Sequence, residues 1–200
     1  MSTRERLFSL VKEEVGRCQQ CSLADAGARR RVFGEGNINA DLIFIGESPG
    51  EEEQKTGRPF VGKSGKLLDK MIINMGLKRE DIYIANIIKC RPPDNRNPTE
   101  EEINCCLPFL KMQLMLLGNG KAVNKILITL GATATDALLG PGLTISKRRG
   151  KIYNKIISET NFTIIPTFHP SYLLRNPSAK KEAAEDLSLA LKTLREYESF

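Results

Sequence analysis

Several absences bound this chain before any motif is read. No apolar run approaches the roughly 18 residues that a helical membrane span requires, and the opening stretch MSTRERLFSLVKEEVGR carries charges where a secretory signal needs an unbroken apolar core. These exclude a helical membrane protein and a signal peptide, so a cytoplasmic protein with no membrane partner is expected. There is no internal repeat and no low-complexity tail, which excludes a solenoid or a disordered extension. Histidine occurs once, at position 169, so any imidazole chemistry rests on that residue. Aromatic residues are also sparse, at 6% with no tryptophan, and an isolated Phe60 in a glycine-rich stretch stands out.

What remains is ordinary in bulk. Two hundred residues, 40% hydrophobic and 27% charged, fit one domain over 1–200 with chain enough for a single core, expected to act as a monomer. Thirty basic against 24 acidic residues leave a formal charge of +6, a weak pointer to a nucleic-acid partner. The basic residues cluster at Arg29–Arg31 and at Lys147–Lys151 (KRRGK), the acidic ones at Glu51–Glu53 and Glu100–Glu102. Each cluster can equally be a solvated face.

Apolar runs and helical spacings alternate along the chain. Residues 3–15 have helical spacing; Asp41–Ile45, Ile82–Ile88, Lys125–Leu130 and Phe162–Phe168 read as strands. Helices are expected over about 63–75, after a Thr99/Glu102 capping box to about 117, over 132–139, and over about 179–198. The span 140–158 is a basic loop or hairpin, and Pro166 demotes the end of the last strand. This order predicts an α/β fold: a three-layer α/β/α sandwich around a central, mainly parallel four-stranded sheet. In such folds ligands bind at the carboxyl ends of the strands. The loop after Ile45, Asn86 at the end of the second strand, and His169 after the fourth all fall on that rim.

The loop is the most informative stretch. Gly46–Gly65, GESPGEEEQKTGRPFVGKSG, carries five glycines, two prolines and four acidic residues in twenty positions. Regularly placed Gly and Pro argue for a shaped loop that lets backbone approach a ligand, with a mobile acidic lid as the alternative. Cysteines stand at 18, 21, 90, 105 and 106. The Cys18-x2-Cys21 spacing lets two thiolates reach one metal centre, and zinc and a four-iron cluster both accept four cysteines.

GESPGEEE followed by GRPFVGKSG resembles the first signature of the family 4, or iron–sulfur, uracil-DNA glycosylases, and His169–Pro177 (HPSYLLRNP) resembles the second. The resemblance runs from about residue 15 to 190. It implies a [4Fe–4S] cluster on Cys18, Cys21, Cys90 and Cys106, with Cys105 a spectator, and a mainly structural role for the cluster. It implies that Gly46, Glu47 and Ser48 lie against uracil, that Phe60 stacks on it, that Asn86 reads its edge and that His169 donates to O2. Leu173 or Leu174 would be the wedge filling the gap left by a flipped base. Arg175 and the Lys147, Arg148, Arg149 cluster would face phosphates. Other glycosylase families place an aspartate where Ser48 stands, so Glu47 and Glu53 are the candidates for activating water. Phe60 could instead anchor its loop, and Tyr172–Leu174 could instead pack on the core. The activity implied is hydrolysis of the uracil–deoxyribose bond in DNA, leaving an abasic site. The rivals are a non-catalytic iron–sulfur protein binding uracil or damaged DNA, and a glycosylase preferring another base.

Overall fold

Apolar runs bounded by turn residues become strands, and stretches with helical spacing become helices, in the order expected. The computed structural model describes residues 1–25, 30–118 and 125–199. Helix α1 (Thr3–Arg17) opens on a capping box between Ser2 and Glu5 and is followed by the short α2 (Ser22–Asp25). A two-residue strand, β1 (Glu35–Gly36), precedes β2 (Leu42–Gly46). The long loop then contains α3 (Glu51–Thr56) and leads into α4 (Lys63–Asn74) and β3 (Tyr83–Asn86). Helix α5 (Glu100–Gly118) starts at the expected box: Thr99 N–H donates to Glu102 Oε2 at 2.8 Å, and Glu102 N–H to Thr99 Oγ1 at 3.2 Å. Then come β4 (Lys125–Leu130), α6 (Ala132–Leu139), α7 (Ile145–Arg148), β5 (Tyr153–Ile157) and β6 (Thr160–Thr167). Helices α8 (Pro170–Arg175) and α9 (Lys180–Glu198) close the described chain. Among the described residues, no helix is long and apolar enough to cross a membrane.

The strands form one sheet in the order β1-β3-β2-β4-β6-β5. Its centre, β3-β2-β4-β6, is parallel and consists of the four expected strands. Two antiparallel edge strands extend it: β1 beside β3, and β5 in a hairpin with β6. Strand β1 is too short for any periodicity to show, and β5 lies in the span whose basic composition suggested a loop or hairpin.

Alternate residues of the central strands pack on opposite faces, as the pleat requires. Ile43, Ile45, Leu127 and Ile164 meet Leu110, Leu114 and Leu117 of α5 and Ala134 and Leu138 of α6. Leu42, Phe44, Ile126 and Ile128 meet Leu68 and Ile72 of α4 and Leu187 and Ala190 of α9. Burial on both faces explains why β2 is apolar at every position. Pro166 is tolerated inside β6 because its carbonyl points away from β4, toward Gly150 N–H at 3.0 Å. The N–H it lacks would point the same way, past the end of β5.

The carboxyl ends of β2, β3, β4 and β6 share one rim. Gly46 pairs directly with Asn86, and Leu130 with Thr167, two residues before His169. From β2 the chain goes to β3 on one side; from β4 it goes to β6 on the other. That divergence opens a crevice at the rim.

Candidate active site

Gly46 ends β2 against Asn86, and the contact is too close for any other residue. A Cβ there would lie 2.5 Å from Asn86 Oδ1 and 2.5 Å from Phe60 Cζ. Asn86 is 1% exposed, and its Oδ1 has no hydrogen-bond partner. A buried amide oxygen left bare is costly unless a ligand supplies the donor.

Beyond Gly46 the loop hugs the sheet, Ile87 N–H donating to Gly46 O at 2.9 Å and Ile88 N–H to Glu47 O at 3.1 Å. It then turns into α3, whose Glu53 is buried. The carboxylate of Glu53 accepts three backbone N–H groups: Gly50 at 3.1 Å, and Val61 and Gly62 at 2.8 Å each. Glu53 thereby ties the start of the loop to its end. With both oxygens engaged it serves as a staple across the loop, while also lining the pocket that Glu47 faces. Glu47 is half-buried and faces the pocket.

Phe60 is buried with its backbone left-handed, at φ 50°. Its ring lies 5.8 Å from the His169 imidazole, inclined by 37°. His169 caps the start of α8. Its Nδ1 receives the Ser171 N–H at 3.1 Å and lies 2.8 Å from Ser171 Oγ. A backbone N–H can only donate, so Nδ1 is the acceptor and the ring proton sits on Nε2. Burial, with a smaller push from the Arg175 charge, lowers the imidazole to about 4, so it is neutral at pH 7.

One pocket therefore gathers Glu47, Ser48, Glu53, Phe60, Asn86 and His169, and Gly46 lies directly against Asn86 and Phe60 without lining it. It also brings in Lys63, Ser64, Asn95 and Ser171, which the sequence reading passed over. Asn95 had a usable signal, since it lies in the loop leaving β3 at the same rim. Ser171 had one in its spacing from a histidine at a helix start.

The second signature divides by residue. Leu173 is 1% exposed and packs on Phe168, Ala179 and Ala183, so it cannot be the wedge. Leu174 is 44% exposed, and Arg175 is also on the surface. The KRRGK cluster divides too, and two of its expected DNA contacts are corrected. Arg148 is buried, donating to Asp136 Oδ1 at 2.6 Å and Gly140 O at 3.0 Å. Arg149 grips the buried Asp186 with two bonds, of 2.9 and 2.5 Å, and lies 5.6 Å from the Phe168 ring centroid. Both guanidiniums hold the fold together, and only Lys147 of the three is exposed.

A second cavity lies beside the segment that leaves β3. Cys18, Cys21, Cys90 and Cys106 all line it, and Cys105, expected as a spectator, lines it too. Burial pushes the Cys90 thiol up to about 12 and raises Cys21 and Cys106. Two cations share the cavity. Lys89 is 1% exposed; its Nζ donates to Asn86 O at 2.8 Å, and its backbone N–H to Cys106 Sγ at 3.3 Å. Arg31 donates to Cys18 O at 2.6 Å, while its Nε is buried without a partner. Arg29, the first of that basic run, lies outside the described residues. A buried ammonium and a half-buried guanidinium with so few partners among the described residues favour an anion beside them. Among the described residues, no three Cys, His, Asp or Glu side chains converge on a point where one ion could sit. Four thiols lining one cavity are a donor set that a zinc ion and a four-iron cluster both accept.

The family model described as uracil DNA glycosylase superfamily matches residues 33–192. A type-4 uracil-DNA glycosylase of Thermotoga maritima is 44% identical over 193 residues, covering 95% of this chain and 96% of that protein. Type-4 uracil-DNA glycosylases of Sulfurisphaera tokodaii and Saccharolobus solfataricus are each 42% identical, covering 88% and 90% of this chain and 80% and 82% of theirs.

Proposed function

The chain belongs to the uracil-DNA glycosylase superfamily, and from that premise we propose how its rim releases a base. The enzyme hydrolyses the N-glycosidic bond of deoxyuridine in DNA. The observation that carries the reading is the bare, buried Oδ1 of Asn86 beside Gly46 and Phe60. Uracil offers a donor at N3 and an acceptor at O4, and a side-chain amide matches that pair. Asn86 Oδ1 accepts N3–H, and its Nδ2 donates to O4. Phe60 gives the base a flat surface.

As the bond to the sugar lengthens, negative charge moves onto the uracil ring. His169 Nε2–H meets that charge at O2. Being neutral, it donates without handing over its proton, and its orientation is set in advance by Ser171. The sugar becomes oxocarbenium-like and is attacked by water. With Glu53 committed to the loop, Glu47 takes the water's proton. Leu174 enters the stack in place of the flipped base, and Arg175 and Lys147 face phosphates.

Cys18, Cys21, Cys90 and Cys106 are the residues to hold a [4Fe–4S] cluster. Four thiolates make such a cluster site a net anion, and Arg31 and Lys89 would supply positive charge beside it. The bound cluster supplies a structural tie between the segment after α1 and the loop after β3, with no part in bond cleavage.

The test is product analysis on a labelled oligonucleotide containing uracil. Free uracil and an alkali-labile abasic site are expected. Tight binding without release, or faster release of hypoxanthine, overturns the reading.

A further inference from the structure

Phe60 holds a conformation that a bulky L residue does not keep unaided. At φ 50° it stays left-handed only where its surroundings over-determine it. Two of those surroundings are glycines. A Cβ on Gly65 would lie 2.0 Å from Phe60 O, so the peptide presses directly on α4; a Cβ on Gly46 would lie 2.5 Å from the ring. The third is Arg79, in the 3₁₀ turn before β3.

Successive carbonyls alternate in extended chain, yet those of Pro59 and Phe60 both face the Arg79 guanidinium. Nη1 donates to Phe60 O at 3.1 Å, and Nη2 donates to Pro59 O. The guanidinium is itself fixed, Nη1 to Asp69 Oδ1 at 2.7 Å and Nε to Glu35 Oε1 at 3.2 Å. Glu35 is gripped from its other side by Arg58, at 2.6 and 2.8 Å. Arg79 thus joins β1, the loop and α4 at the residue that faces the base, and its side chain is only 21% exposed.

We propose that Arg79 is a positioning residue for base capture, locking the Pro59–Phe60 backbone so that the ring lies flat against uracil. The proposal rests on the reading of Phe60 as the stacking surface. A planar guanidinium can serve two carbonyls and two carboxylates at once, whereas an ammonium would have to choose among them. Tilting the ring costs rate without touching the groups that act on the bond.

A double-mutant cycle in the cluster-loaded protein tests it, reading single-turnover uracil release. Arg79→Gln should lower the rate about tenfold, the scale of a small misplacement near reacting atoms, and raise the inhibition constant for free uracil by a similar factor. Affinity for DNA containing an abasic-site analogue should stay the same. Arg79→Lys, the gentler variant should Gln fail to fold, should fall between Gln and wild type. In a Phe60→Ala background, Arg79→Gln should change the rate by less than about twofold, because residues acting through one another are not additive. An equal loss in both backgrounds overturns the proposal while leaving Phe60 its role. A Phe60→Ala variant with wild-type rate removes the stacking reading itself.

Discussion

Glu53→Gln separates a structural carboxylate from a catalytic one. In the native loop the two oxygens of Glu53 accept N–H groups from Gly50, Val61 and Gly62. An amide oxygen placed where Oε1 lies keeps Val61 and Gly62. The amide NH2 then faces Gly50 N–H, a donor against a donor. One charge-assisted bond is lost and two become neutral, at about half their former strength. Bonds to charged groups contribute about 1.5–3 kcal/mol each, so the loss is about 3 kcal/mol even at the low end. For a chain of this size that corresponds to about 6–12 °C in thermal midpoint. Phe60 is one residue from Val61, so the loosened loop should also slow uracil release by about ten- to a hundredfold. Melting at one scan rate, with iron content checked, is set beside single-turnover release. A midpoint within about 2 °C of wild type together with a thousandfold slower reaction would refute the staple and return Glu53 to the chemistry. Glu47→Gln is the counterpart: a rate loss of about a hundredfold or more with little change in melting.

Further outcomes follow from the same geometry. His169→Ala should cut the chemical step by about two to three orders of magnitude. Because the wild-type imidazole is lowered to about 4, it stays uncharged as pH falls through 6.5, and no descending limb centred near 6.5 should appear in the rate. The sign for stability is the reverse of a paired histidine: the unfolded chain takes up the proton first, so stability falls as pH drops from about 6.5 toward 4. Asn86→Asp places an acceptor against uracil O4 in a buried site, so uracil excision should fall by about a hundredfold, with at most weak cytosine release at low pH; near-normal uracil excision would show that Asn86 does not read the base. Elemental analysis should find about four irons per chain, lost in Cys106→Ser and kept in Cys105→Ser; stoichiometric zinc without iron would end the cluster assignment. Lys147→Ala and Arg175→Ala should each flatten the slope of log affinity against log salt by about one, whereas Arg149→Ala should lower the melting point and leave that slope alone.

The periodicity of this sequence was enough to place its four central strands and its longer helices, because burial pattern and capping are local properties; the edge strands and the short helices escaped it. Four apolar runs became the parallel centre of the sheet, and the Thr99–Glu102 box opened its helix. Chain order with the strand-end rule brought Gly46, Asn86 and His169 to one rim, while it was the family resemblance, beyond the Cys18-x2-Cys21 spacing, that grouped the four cysteines now lining one cavity. What stayed hidden depended on partners far along the chain, or on the phase of a single residue. Leu173 and Leu174 are neighbours of the same type, and only the way α8 packs on α4 sends one into the core and leaves the other in solvent. Arg148 and Arg149 read as a basic surface because their acids, Asp136 and Asp186, lie 12 and 37 positions away. Glu53 looked free for chemistry because two of the three N–H groups it holds, those of Val61 and Gly62, come from a turn whose path no local pattern describes. Arg79 carried no motif, since its partners are backbone carbonyls and two carboxylates 10 and 44 residues distant. Local propensity follows from neighbours in sequence; which charges are used up in holding the fold, and which stay free to act, follows from how the folded chain closes on itself.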